Sequence, residues 1–83
     1  MESLCDLKIG EQAIIREIEG NVLLLKLMEM GCLPGEIIKL TEIAPMGDPI
    51  AIEVQGYKLS LRLSEAQLVK IEKINTESIL TGH

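Results

Sequence analysis

The spacing of apolar and polar positions changes period along the chain, and each change marks an element. From Glu11 to Glu19 the pattern is strand-like, with Ala13 and Ile15 on one face. Ile14 and Ile18 fall out of that alternation, which predicts a bulge or bend near Arg16-Glu17. Gly20 breaks the chain, and Asn21 is the expected N-cap of a helix over 22–30. Gly31 closes that helix in the left-handed conformation, and Pro34 follows where a helix cannot continue. The period then switches to two. A strand over 35–44 turns Ile38 and Leu40 inward and leaves Ile37 and Ile43 on the other side.

Pro45-Met46-Gly47-Asp48-Pro49 is a loop on its turn chemistry. Beyond it, Ile50, Ile52 and Val54 alternate with Ala51 and Glu53, and a two-residue turn at Gln55-Gly56 sends the chain back. That register sets Val54 against Tyr57, Ile52 against Leu59 and Ile50 against Leu61 on the apolar face. On the other face Glu53 meets Lys58, opposite in charge. Ser64 and Gln67 fit a capping box for one helical turn, and a last strand runs over 69–74. Strands over 11–19, 35–44, 49–55, 57–63 and 69–74, with a helix after the first, predict a mainly β fold. Five short strands avoid exposed edges by closing into a small, strongly bent barrel. The expected domain is 1–74, with 75–83 as a flexible C-terminal tail where the pattern is lost.

On the predicted helix Leu23, Leu24, Leu27, Met28 and Met30 share one broad face. Lys26 and Glu29 lie opposite, three apart and able to pair. Val22 and Leu25 fall on their side, two aliphatics where water is expected, which makes this face a candidate partner surface. The alternative is that the N-terminal segment, through Leu4 and Leu7, folds over them.

Charge and composition narrow the function. Lys and Arg total 8 against 13 Asp and Glu, a net charge of −5, the wrong sign for a nucleic-acid clamp. Tyr57 is the only aromatic, so neither a base-stacking platform nor an aromatic peptide groove can be built. The acidic start Met1-Glu2-Ser3-Leu4-Cys5-Asp6 has no basic n-region, and no apolar run is long enough to enter a bilayer. With two unpaired cysteines, Cys5 and Cys32, the expectation is a cytoplasmic protein with reduced thiols. Catalysis has little to work with, because the single histidine is His83, the last residue. The chain is therefore expected not to be an enzyme. Cys5, Cys32 and His83 lack the paired spacing of a closed zinc site. No resident cofactor is expected, and metal is left a weak or copy-bridging role.

The stretch Lys26-Leu27-Met28-Glu29-Met30-Gly31-Cys32-Leu33-Pro34-Gly35 resembles the helix-exit signature of the ferrous iron transport protein A (FeoA) family. Ala44-Pro45-Met46-Gly47-Asp48-Pro49 resembles its second signature, and Gly56-Tyr57-Lys58-Leu59-Ser60-Leu61-Arg62 with Ser64-Glu65-Ala66 its third. The opening Leu4, Leu7, Gly10 and Glu11 also fits, so the resemblance spans about residues 4 to 73. It implies an SH3-like barrel that serves ferrous iron uptake by binding the cytoplasmic portion of the membrane permease FeoB. Modulation of the permease's GTP-binding domain is part of that implication. The other function considered is a metal-responsive module that holds Fe2+ or Zn2+ directly and self-associates. Leu24-Leu25 departs from the polar or basic residues of many relatives, which favours an apolar partner contact. The expected contact residues are Val22, Leu25, Lys26, Glu29, Cys32 and Pro34. No catalytic, cofactor or dedicated metal residue is assigned, and neither nucleic acid nor direct membrane insertion is expected.

Overall fold

The computed structural model describes residues 2–74. The expected tail over 75–83 lies outside the described residues. The strands are β1 (Glu2–Ser3), β2 (Gln12–Ile18), β3 (Ile37–Ile43), β4 (Ile50–Val54), β5 (Tyr57–Leu61) and β6 (Val69–Ile74). The helix α1 (Asn21–Glu29) joins β2 to β3, and the single turn α2 (Leu63–Ala66) joins β5 to β6. All pairings are antiparallel, in the order β1-β6-β2-β3-β4-β5.

The β4–β5 hairpin has the expected register, with Val54 opposite Tyr57, Ile52 opposite Leu59 and Ile50 opposite Leu61. Its turn is of the primed kind, since Gln55 and Gly56 both have positive φ, 51° and 87°. The β2 bulge lies where the alternation breaks, between Ile15 and Glu17. A second bulge between Leu40 and Glu42 has no counterpart in the sequence pattern. There the Thr41 hydroxyl donates to the Ala51 carbonyl at 3.2 Å.

Six strands replace the expected five, and among the described residues the sheet does not close by hydrogen bonding. The added strand is β1, which pairs with β6 through Glu2–Ile71 and Ser3–Lys70. Two polar residues carry no period, so nothing in their pattern marks a strand. The 3₁₀ turn after them, Leu4–Asp6, is held by a reciprocal cap: Cys5 N–H donates to Ser3 Oγ and Ser3 N–H to Asp6 Oδ2. The two edge strands, β1 and β5, are thus followed by the 3₁₀ turn and α2. These two turns touch, the Cys5 thiol donating to the Leu63 carbonyl at 3.6 Å. Helical contacts bridge the seam that a strand ladder would otherwise have to fill.

One continuous core results. Ala13, Ile15, Ile38, Leu40, Ile50, Ile52, Val54, Leu61, Val69 and Ile71 come from the sheet. Leu4 and Leu7 enter it from the N-terminal segment, and Leu23 and Leu27 from α1. Two caps differ from expectation. Gly20, not Asn21, precedes α1 as its N-cap and supplies no side-chain acceptor. At α2 the cap is Arg62 rather than Ser64, and Glu65 takes the place of Gln67. Arg62 N–H donates to Glu65 Oε1 at 3.0 Å, while Glu65 N–H donates to the Arg62 carbonyl.

Candidate partner-binding surface

α1 is short, and only a narrow stripe of it reaches the core. Leu23 and Leu27, four apart, are buried, with Leu24 half-buried beside them. Met28 and Met30, expected on that inward face, are exposed instead. Two buried leucines are all that the bend of the sheet accommodates, and Met30 already lies beyond the last helical residue.

The outward side is apolar. Val22 is 85% exposed and Leu25 61%, and Met28 extends the same row in steps of three. Leu4 and Leu7 do not cover this row, because both are buried in the core. Met30 and Leu33 continue the exposed apolar surface past the helix end, and Pro34 is exposed beside them.

The helix ends in a Schellman turn, and that turn decides where Cys32 goes. Gly31 has φ +77°, its N–H donates to the Met28 carbonyl at 3.0 Å, and the Cys32 N–H donates to the Leu27 carbonyl at 2.8 Å. This geometry folds the residue after the glycine back against the last buried turn. Cys32 is therefore 1% exposed, in the core with Leu27, and is not a surface contact residue as expected. Burial, with a smaller contribution from the Glu36 carboxylate, pushes its thiol up to about 11. The Tyr57 hydroxyl donates to the Met30 carbonyl at the same corner. Gln55 Nε2 donates to Glu36 Oε1 at 2.6 Å, so the tip of the β4–β5 hairpin braces the end of α1 and the loop after it.

Charge is distributed unevenly around the row. The sequence spacing allows Lys26 to pair with Glu29, but in the fold it does not. Its Nζ lies 2.8 Å from Glu65 Oε2 on α2, a residue far off in sequence that the fold brings alongside. The Lys26 ammonium, then the Arg62 N–H, hold the Glu65 carboxyl below the usual carboxylate value. Glu29 is exposed, and among the described residues no cation or donor pairs with it.

The arginines and the cysteines sit in separate surroundings. Arg16 is tied to Glu72 at 2.8 Å, while Arg62 is exposed at the start of α2. Among the described residues no three His, Cys, Asp or Glu side chains converge as metal ligands. Cys5 is exposed and Cys32 buried, and neither is in a disulfide. No helix among the described residues is long and apolar enough to cross a membrane.

Residues 2–73 match the FeoA domain family. A Porphyromonas gingivalis protein, described as an Fe(2+) transport protein A/Fe(2+) transporter FeoB fusion protein, is 33% identical over 76 residues. That alignment covers 90% of this chain and 9% of the fusion protein, so the chain spans less than a tenth of that relative. The solution structure of FeoA from Chlorobium tepidum superposes with a TM-score of 0.81 at 28% identity, covering 88% of this chain and 70% of that one. The crystal structure of Stenotrophomonas maltophilia FeoA complexed with zinc has a TM-score of 0.71 at 25% identity, covering 87% and 91%. That protein is described as a procaryotic SH3 domain protein.

Proposed function

The chain belongs to the FeoA domain family, whose role is in ferrous iron transport, and from that premise we propose that it is an accessory protein of ferrous iron uptake. It works in the cytoplasm, by binding the cytoplasmic portion of a FeoB-type permease through the outward face of α1. The observation that carries this reading is the row of Val22, Leu25 and Met28, apolar and exposed on a helix anchored from behind by Leu23 and Leu27. Displacing water from such a row is favourable, and a few central aliphatics can supply most of the binding energy. Glu29 lies among these side chains, with Lys26 and Pro34 at the rim. The P. gingivalis relative, in which the two proteins are one polypeptide, supports the choice of partner.

No bond-making or bond-breaking step is assigned to the chain itself. Its effect on the permease is conformational: occupying a surface of the cytoplasmic portion biases the state of the GTP-binding domain. The test is GTP hydrolysis by that portion, measured with and without this protein. A changed rate, lost again with Leu25→Lys, supports the modulation. An unchanged rate despite saturating binding reduces the role to recruitment.

A second reading rests on the zinc complex of the S. maltophilia relative. In it the chain takes Fe2+ or Zn2+ through surface carboxylates contributed by two copies and signals by self-association. Sedimentation with and without added Zn2+ separates the readings, since only the second predicts a metal-dependent change in mass.

A further inference from the structure

Glu29 lies within the apolar row and not beside it. Positions 22 and 29 are two turns apart, only about 20° around the axis, and 25 and 29 are one turn apart. A partner seated on Val22 and Leu25 therefore covers the Glu29 carboxylate and strips its water. An ionised carboxylate without a compensating donor is costly in such a place. The nearest cation in sequence, Lys26, is committed to Glu65 at 2.8 Å. Nothing else among the described residues pairs with Glu29, so the donor has to come from the occupant.

We propose that the segment docking on α1 is an apolar stretch of the partner that carries a lysine or arginine, placed to meet Glu29. This rests on the reading of α1 as the permease-binding face and adds the chemistry of what binds there. A second copy of this chain fits less well. The only cation its own α1 carries is Lys26, already engaged with Glu65, and both copies bring the same free carboxylate. The contact thus selects against self-pairing and against acidic partners, while the apolar row supplies affinity with little selectivity.

The test titrates the cytoplasmic portion of the permease with the wild-type chain and with Glu29→Gln, Glu29→Lys and Leu25→Lys, in roughly 50 to 500 mM NaCl. Thermal melts verify that each variant is folded. Glu29→Gln keeps the shape and removes the charge, so affinity is expected to fall at least about tenfold and its salt dependence to flatten. Glu29→Lys is expected to bind more weakly still. If Glu29→Gln binds as tightly as wild type while Leu25→Lys does not bind, the proposed cation is wrong and the α1 interface stands. If Leu25→Lys also binds normally, the interface reading fails and the proposal with it. A concentration-dependent dimer that Leu25→Lys dissociates, with no permease binding, overturns it in favour of a second copy.

Discussion

Replacing Leu25 by lysine separates the two ways in which an apolar residue on a short helix can matter. Leu25 is 61% exposed, so about two fifths of its surface is covered by the chain itself. Full burial of a leucine is worth about 1.5–3 kcal/mol, which puts the covered part at about 0.6–1.2 kcal/mol. The lysine stem restores some of that contact and carries its charge into water. A net loss of about 0.5 kcal/mol corresponds, for a domain of this size, to a fall in Tm of about 2–4 °C. Leu27, two positions further and fully buried, sets the opposite scale. Leu27→Ala leaves a cavity beneath the helix and costs about 2–5 kcal/mol, a fall in Tm of about 10 °C or more. Melting by circular dichroism, paired with complementation of ferrous iron uptake in cells lacking the protein, gives both readouts. The expected result for Leu25→Lys is near-normal melting with failed complementation. A fall in Tm as large as that of Leu27→Ala refutes the surface assignment, and normal melting with normal uptake refutes the interface.

Four further outcomes follow from the core, the thiols and the ligand set. Ile52→Ala, at the centre of the hairpin and fully buried, is expected to destabilise the fold by about 2–5 kcal/mol in urea unfolding; a change below about 1 kcal/mol contradicts its place in the core. Near neutral pH a thiol reagent is expected to label Cys5 in the native protein and Cys32 only after unfolding. With the Cys32 thiol raised from 9.0 to about 11 in the fold, the unfolded chain loses this proton first, so stability falls between those two values as pH rises. Unfolding monitored across that range, with Cys32→Ala as the control whose slope is shallower, checks the sign. Elemental analysis of protein purified with chelator is expected to find no stoichiometric metal, and one firmly held ion per chain contradicts this.

Features that the local residue pattern sets were legible, and those set only by contacts across the fold were not. The hairpin from Ile50 to Leu61 was readable because alternation, turn residues and the Glu53–Lys58 pair all specify one register. The β2 bulge was readable because Ile14 and Ile18 break the alternation on either side of Arg16. By contrast, β1 is two polar residues whose only partner, β6, lies at the far end of the domain. Lys26 has a carboxylate three residues away and pairs with Glu65 on α2, since the fold sets α2 alongside α1. The local pattern of α1 separated Val22 and Leu25 from the core face, and both are exposed. A helical projection does not contain the turn that follows the helix, so it missed that Cys32 is buried and that Met30 lies past the last helical residue; Met28, within α1, is exposed because only Leu23 and Leu27 reach the core there.

The central claim is that α1 presents the partner-binding face, and amide chemical-shift mapping tests it most directly. The isotope-labelled chain is titrated with the cytoplasmic portion of a FeoB-type permease. The account predicts saturating shifts confined to 22–30 and the 31–34 turn, strongest at Val22, Leu25 and Glu29, with the amides of β4 unmoved. Saturating shifts around the exposed Ile37 and Ile43 of β3, with α1 unperturbed, would contradict it.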